Sequence, residues 1–228
     1  MNYSIPKIIH QIWIGPKEEP TQWTNTFKID YINAYPDYKY ILWNESNLDN
    51  LFKDFLVLKI VYDLEETWNG KSDILRYLIL FYHGGIYIDA DCVWLNNKNF
   101  DELINNSTGF FGAREPNTTH LVGTVIGSYK NNQVFLKIIK HIESIILNSE
   151  GKVIKHRYVN KRKVMGVCKL IGPIIFDHFA KNENITVFPS HYFYPIGWHS
   201  ISDKNYHLNN KMPEDSYMFH AGYSTNFA

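Results

Sequence analysis

The strongest constraint on the fold is the stretch at residues 72–91, SDILRYLILFYHGGIYIDAD, in which charged residues interrupt apolar sequence. Its first half is apolar on every face of a helix, which predicts a buried helix over residues 72–82. Asp73 is expected near the helix start, where the helix dipole favours an anion, and Arg76 lies one turn later on the same face. Burying unpaired charges costs on the order of several kcal/mol each, so the fold must supply partners.

The second half of this stretch predicts a strand that ends in two carboxylates. Gly84 and Gly85 end the helix, since glycine adopts the left-handed backbone of a helix C-cap. Residues 86–88 are β-type and lead directly to Asp89 and Asp91. Carboxylate oxygens are ligands that Mg²⁺ and Mn²⁺ prefer and commonly share with phosphates. We therefore expect a divalent cation, Mn²⁺ or Mg²⁺, held against a diphosphate.

The order of elements before this stretch indicates an α/β fold with parallel strands. Strands are predicted at residues 7–14 and 38–43, and helices at 22–34, 48–52 and 55–67. After Asp91 we expect strands at 92–95, 109–113, 121–129 and 217–220, and helical segments at 100–104, 134–147 and 174–180, the last started by Pro173. No repeat or boundary divides the sequence, so a single domain over residues 1–228 is predicted.

Charge and composition exclude several functions. Lys and Arg total 23, as do Asp and Glu, so nothing favours nucleic acid or an anionic membrane as partner. The basic cluster at residues 155–163 is interpreted as a solvated loop, with a phosphate or acceptor contact as the alternative. Cys92 and Cys168 form neither a disulfide framework nor a metal site by spacing. The N-terminus lacks the features of a signal peptide and no stretch could span a bilayer, which predicts a cytoplasmic protein without a transmembrane segment.

The motif in residues 72–91 resembles that of the Asp-x-Asp sugar-binding glycosyltransferases. It consists of Ser72-Asp73-x-x-Arg76 followed by Gly84-Gly85-x-Tyr87-x-Asp89-x-Asp91. In particular the chain is similar to glycosyltransferase family 32, which includes fungal mannosyltransferases and α-galactosyltransferases, and more distantly to the clostridial glucosylating toxins. Residues 5–15, IPKIIHQIWIG, match the opening strand of that family, and residues 170–173, 193–195 and His220 follow in the order of its later landmarks.

The resemblance implies a GT-A fold, a nucleotide-sugar-binding α/β fold with a mixed, mostly parallel central sheet flanked by helices. Residues 1–95 would bind the donor, and residues 96–228 would form the acceptor side and the C-terminal closing segment. The implied function is a retaining, metal-dependent transfer of a hexose from a nucleotide sugar. A UDP-hexose is the favoured donor and GDP-mannose the second, and the acceptor is a hydroxyl of a glycan, lipid or protein.

The resemblance also implies a role for individual residues. Trp13 would stack on the base of the donor, and Asp73 and Arg76 would hold the hydroxyls of its sugar. The full set assigned to donor binding is Ile12, Trp13, Asn44, Asp73, Arg76, Tyr87 and Asp89. Asp73, Arg76, Asp89 and Asp91 form the catalytic set. The metal ligands are Asp89, Asp91 and His220, with Ser224 as a weaker candidate. A purely structural role is the alternative for these residues. Trp13 could belong to the hydrophobic core, Asp73 and Arg76 could form an ion pair with each other, and His220 could be a hydrogen-bonded histidine that binds no metal.

The sequence departs from the family pattern at three places. It lacks an Asn near Val122 or Gly123, it has Ile171 where Thr is usual, and it has Ser224-Thr225 where the family ends in Ser-Trp. All three lie on the predicted acceptor side and the closing segment. They leave the predicted donor and metal sites unchanged.

Two other functions fit parts of the sequence. Residues 89–93 also match the Asp-x-Asp-x-Thr/Val pattern of haloacid-dehalogenase phosphatases, in which the first Asp is a nucleophile. That motif normally follows the first strand, and here it comes after residue 80 with no adjacent acidic pair downstream. The other alternative is a nucleotide-sugar-binding domain with impaired transfer, suggested by the missing C-terminal Trp.

Overall fold

The computed structural model describes residues 3–95, 98–116, 118–146, 171–197, 201 and 206–222. Strands and helices alternate through the first part of the chain, as the sequence predicts. The elements are β1 (Ile8–Ile12), α1 (Thr21–Asn25), a π-helical segment (Thr26–Tyr31), α2 (Ile32–Ala34), β2 (Lys39–Trp43), α3 (Leu56–Leu64), α4 (Trp68–His83), β3 (Gly85–Ile88) and β4 (Cys92–Trp94).

The second part adds short strands and helices around the same core. Its described elements are α5 (Asp101–Asn105), β5 (Phe110–Arg114), β6 (Leu121–Ser128), α6 (Gln133–Ile146), α7 (Pro173–Ala180), β7 (Thr186–Phe188), a 3₁₀ turn (Ser190–Tyr192), α8 (Tyr206–Asn209) and β8 (Met218–His220). Strand β7 was not predicted from the sequence, because it has only three residues and all are half-buried.

The central sheet has six strands in the order β2-β1-β3-β6-β5-β7. Strand β1 pairs in parallel with β2 and β3, and β5 pairs in parallel with β7. Strand β6 runs antiparallel to both β3 and β5. All strands of this sheet except β6 therefore end at one edge, and such an edge is where open α/β sheets bind ligands. The prediction of a mixed, mostly parallel sheet is confirmed.

A separate two-stranded ribbon lies beside the sheet. It consists of β4 and β8, which pair antiparallel with Cys92 opposite His220. The ribbon brings the end of the chain back to the residues that follow β3.

Helix α4 lies at the centre of the core, packed against β1, β3 and α6. Leu75, Leu78 and Ile79 are fully buried, and the Tyr77 ring stacks on Phe135 of α6 at 6.3 Å. The hydroxyl of Tyr77 donates to the carbonyl of Ile171 at 3.0 Å, which ties α4 to the segment before α7. The prediction that this helix is buried on all faces is confirmed.

Two predicted helix boundaries are wrong. Residues 48–52 form turns instead of a helix. Helix α4 begins at Trp68 instead of residue 72, because Thr67 caps it by accepting a hydrogen bond from the Gly70 amide at 3.1 Å. Asp73 thus lies in the second turn, where the helix dipole acts weakly on it.

Among the described residues, no helix combines the length and the apolar character needed to cross a bilayer.

Candidate active site

The turn between α4 and β3 sets the geometry of the site. Gly84 and Gly85 have φ angles of 63° and 94°, a backbone region that favours glycine. A Cβ at Gly85 would lie 2.6 Å from the carbonyl oxygen of Ile8, so this turn also requires close backbone approach. The predicted role of the Gly-Gly pair as a helix stop is confirmed.

A buried histidine that the sequence did not single out holds this turn in place. The indole Nε1 of Trp43 donates to Nδ1 of His10 at 3.1 Å, so His10 Nε2 carries the proton and donates to the carbonyl of Gly84 at 2.9 Å. Burial lowers the pKa of His10 to about 3, which keeps the ring neutral. His10 therefore bridges β1 and β2 to the turn that precedes β3.

Arg76 joins the two halves of the motif. Its Nη2 lies 3.2 Å from Oδ1 of Asp73 and 3.3 Å from Oδ1 of Asp89. The side chains of Arg76 and Asp73 are about nine-tenths buried, and that of Asp89 is 23% exposed. Asp73 and Arg76 thus form the ion pair that the structural alternative expected, and the same guanidinium also reaches the first Asp of the Asp-x-Asp motif.

Two neighbours fix the Arg76 guanidinium in position. Its Cζ lies over the Tyr87 ring at 4.7 Å from the centroid, and the Tyr87 hydroxyl donates to Oδ1 of Asp89 at 2.7 Å. On another side is Gly123 of β6, where an added Cβ would overlap Nη1 of Arg76. Tyr87 is 1% exposed, so it contacts Arg76 and Asp89 from the side of the core.

The carboxyl of Asp73 is held in an unfavourable environment for its charge. Burial raises its pKa to about 6, with Arg76 opposing the shift and Asp89 adding to it. Nε of Arg76 is buried without a hydrogen-bond partner among the described residues. One cation therefore serves two carboxylates, and hydroxyl donors from a ligand would relieve the arrangement.

Asp91 and His220 form a second group, at the end of the β4–β8 ribbon. Oδ1 of Asp91 lies 3.3 Å from Nε2 of His220, and both side chains are about nine-tenths buried. Burial alone would lower the pKa of His220, but the Asp91 carboxylate raises it to about 9. The thiol of Cys92 lies within 4.8 Å of these two ligand atoms.

The donor set of this second group suits a divalent cation. Carboxylate oxygens are ligands that Mg²⁺ and Mn²⁺ prefer, and an imidazole nitrogen also binds divalent transition metals, whereas the buried thiol of Cys92 is a poor partner for a hard cation. Nδ1 of His220 is buried without a hydrogen-bond partner among the described residues, which marks a site that these residues do not complete by themselves. The residues present therefore fit the predicted metal.

Asp89 lies apart from this cluster, although we predicted it as a metal ligand. Its Oδ1 takes the hydrogen bond from Tyr87 and the ion pair with Arg76. The structure thus groups Asp89 with Asp73 and Arg76, and groups Asp91 with His220. Its role as a metal ligand stays a prediction.

The residues predicted to bind the nucleotide lie at the carboxyl ends of β1 and β2. Ile12 is buried in β1, and Trp13 after it is half-buried, with its Nε1 donating to the carbonyl of Lys17 at 2.9 Å. Asn44 follows β2, and its Oδ1 accepts hydrogen bonds from the amide and hydroxyl of Ser46. The two side chains lie at the same edge of the sheet as Asp89.

The structure describes two of the three departures from the family pattern. Gly123 is explained by the Arg76 guanidinium, which occupies the space that a side chain would need. Ile171 is buried in the core and offers its carbonyl to Tyr77. Ser224, Thr225, Cys168 and residues 155–163 lie outside the described residues, so the predictions for them stay as they were.

Comparison with known proteins agrees with this geometry. The family described as "glycosyltransferase sugar-binding region containing DXD motif" matches residues 20–110. An uncharacterised glycosyltransferase of Acanthamoeba polyphaga mimivirus is 30% identical over 240 residues, covering 97% of this chain and 83% of that protein. Inositol phosphoceramide mannosyltransferase 3 of Schizosaccharomyces pombe is 30% identical over 146 residues, covering 64% of this chain. The match spans only 39% of the fungal protein's length.

A solved structure shares the fold. The UDP-bound glycosyltransferase domain from the YGT toxin superposes with a TM-score of 0.55 at 11% identity, covering 82% of this chain and 80% of that domain. The predicted GT-A fold is thereby confirmed.

Proposed function

This chain belongs to the glycosyltransferases that carry the DXD sugar-binding region, glycosyltransferase family 32, and on that premise we propose that it is a retaining, metal-dependent hexosyltransferase. The observation that carries the proposal is the presence of two charged groups, one at the end of β3 and the other at the end of the β4–β8 ribbon. Asp73, Arg76 and Asp89 form one group and Asp91 with His220 the other. A donor that has both sugar hydroxyls and a diphosphate would use both groups.

The donor we propose is a UDP-hexose. Trp13 has an indole at the edge of the sheet where the base would stack, and the UDP-bound toxin domain has the same fold. GDP-mannose is the second candidate, favoured by the name of the Schizosaccharomyces pombe relative. The acceptor is a hydroxyl of a glycan, lipid or protein, and the cytoplasmic location stays a prediction from sequence.

Different residues of this chain would bind the sugar and the cation. Asp73 accepts hydrogen bonds from the donor sugar, and Arg76 donates to it, so the sugar is oriented over the strand end. Asp91 and His220 would hold the cation. A bound divalent cation supplies positive charge that stabilises the leaving diphosphate.

We propose that transfer occurs on the face from which the diphosphate leaves. The bond between the anomeric carbon and the phosphate oxygen breaks, the bond to the acceptor oxygen forms on the same face, and the proton of the acceptor hydroxyl passes to the departing diphosphate. This path retains the anomeric configuration and needs no covalent sugar intermediate. Trapping such an intermediate would contradict it.

The test is a screen of nucleotide sugars for Mn²⁺-dependent hydrolysis, followed by NMR of the first-formed anomer. We expect hydrolysis of one UDP-hexose, release of the anomer with the donor's configuration, and loss of both with Asp91→Ala. Hydrolysis of GDP-mannose alone would reverse the order of the two donors. Donor binding without hydrolysis would favour the impaired binding domain, and turnover of a generic aryl phosphate would favour the phosphatase.

A further inference from the structure

A cleft of about 440 Å³ opens at the carboxyl ends of β5 and β7, on the same edge of the sheet as the donor site. Its lining is half apolar and half polar, and consists of Arg114, Glu115, Pro116, Thr118, Val187, Phe188, Pro189 and Ser190. The volume falls within the range of about 300–1,000 Å³ that small-molecule sites occupy.

The register of the sheet places this cleft two strands away from Asp89, at the same level of the sheet edge. The Asp89 amide donates to the carbonyl of Thr124 in β6, and Ala113 of β5 pairs with Phe188 of β7 on the far side of β6. Strand β5 is thus two strand spacings, about 10 Å, from β3. The pairing of β5 with β6 also shifts register between Gly112 and Arg114, an irregularity that turns the end of β5.

The cleft is also connected to the candidate metal site, through the segment that follows β7. The carbonyl of Ser190 accepts a hydrogen bond from the Tyr194 amide at 2.8 Å, and the Tyr194 ring stands perpendicular to His220 with centroids 5.8 Å apart. Tyr194 therefore links the lining of the cleft to His220, and β6 lies between the cleft and Asp89.

Among the described residues, two polar groups of the cleft lack a hydrogen-bond partner, the Glu115 carboxylate and Oγ of Ser190. No described residue donates a hydrogen bond or an ion-pair contact to the half-buried carboxylate of Glu115. The neighbouring loop is satisfied internally, since the Thr118 hydroxyl donates to the Glu115 carbonyl and Nε of Arg114 donates to the Thr119 carbonyl. An open carboxylate accepts hydroxyl hydrogen bonds and repels anions.

We propose that this cleft is the acceptor subsite and that it binds a neutral sugar ring, with Glu115 accepting from its hydroxyls. The inference rests on the proposed transferase function and specifies its acceptor as a glycan. The apolar surfaces of Val187, Phe188 and Pro189 suit the C–H face of a pyranose ring. Arg114 and Glu115 both line the cleft and carry opposite charges, which suits a neutral ligand. A lipid chain would need a longer apolar groove than this cleft provides.

The experiment measures binding separately from catalysis. The full chain is titrated with methyl α-glucoside, methyl α-galactoside and methyl α-mannoside by saturation-transfer NMR, in the presence of UDP and Mn²⁺. We expect one of these glycosides to bind, and Glu115→Gln to weaken that binding about tenfold. Phe188→Leu, which keeps an apolar side chain but loses the flat ring, is a second variant, and thermal unfolding checks that both are folded.

The control is Glu183→Gln, which neutralises an exposed carboxylate that pairs with Lys137 outside the cleft. It is expected to bind the glycoside as the wild type does. The proposal is overturned if no glycoside binds, if Glu115→Gln and Glu183→Gln bind equally, or if a serine peptide or an inositol phosphate occupies the cleft instead. Nucleotide-sugar hydrolysis is assayed separately, so its absence would count against the transferase function and leave the binding result to decide the subsite.

Discussion

Gly123 leaves open the space that the guanidinium of Arg76 fills, because a Cβ at position 123 would overlap Nη1. The absence of a side chain in β6 is thus a requirement of the buried arginine in α4. The relationship accounts for one departure from the family pattern by a contact within this chain.

Gly123→Ala is expected to displace Arg76 and lower kcat/KM for the donor by about 100-fold, since small misplacements of a positioning group have effects of that size. The measurement is steady-state hydrolysis of the nucleotide sugar, with urea unfolding to follow stability. Gly112→Ala is the matched control, because a Cβ there would meet Ile185 at an ordinary 3.6 Å. Equal activity of the two variants would contradict the shared-space argument.

Arg76→Met is expected to lower the free energy of unfolding by about 3–5 kcal/mol, because it leaves the buried Asp73 carboxylate without its cation. Adding Asp73→Asn should restore part of that loss in urea denaturation. The control is Lys59→Met, which removes a lysine paired with Asp63 at 2.6 Å on the surface, and is expected to change stability by less than about 1 kcal/mol. Additive effects of Arg76→Met and Asp73→Asn would count against the ion pair.

Asp91→Asn is expected to weaken Mn²⁺ binding by at least about tenfold, since even residues that only orient a metal ligand have effects of 10–100-fold. Electron paramagnetic resonance of free Mn²⁺ in the presence of UDP gives the affinity. Asp215→Asn is the control, because Asp215 also pairs with a histidine, His191 at 2.6 Å, but on the exposed surface. A comparable loss in Asp89→Asn would return Asp89 to the set of metal ligands.

The pH dependence of stability should report His10. Its pKa is 6.5 in the unfolded chain and about 3 in the fold, so below pH 6.5 the unfolded chain binds the additional proton. The His10 contribution to stability is complete above pH 6.5 and falls by about 1.4 kcal/mol per pH unit down to pH 3.

Urea unfolding of the wild type and His10→Gln between pH 7 and pH 5 isolates this contribution. The difference in unfolding free energy between the two is expected to narrow as the pH falls. A constant difference for His10→Gln would show that His10 does not titrate as its burial implies.

The residues of the candidate donor site stand out in the sequence for physical reasons. Charged residues in a buried helix and carboxylates after a buried strand are conspicuous, so Asp73, Arg76, Asp89 and Asp91 were found. The sequence did not predict that these residues divide into two groups. That division depends on the hydrogen bond from Tyr87 to Asp89 and on the ion pair between Arg76 and Asp89, which only the fold brings about.

His10 and Glu115 were missed for a related reason. His10 stands in an apolar strand with no motif around it, and only the fold brings it to Gly84, 74 positions later in the chain. Glu115 lines a cleft together with residues of β7, and β7 is a strand too short to predict. Helix starts were misplaced because a local cap, Thr67, determined where α4 begins.

The two ligands of the candidate metal site come from parts of the chain with different local stability. Asp91 lies in the turn that joins β3, which is paired on both sides within the sheet, to β4, whereas among the described residues β8, which ends at His220, pairs only with β4. Two-stranded ribbons open more readily than the interior of a sheet. A cation bound by both residues would therefore act as a crosslink, and amide hydrogen exchange in β8 should slow when Mn²⁺ is added while that in β3 stays the same.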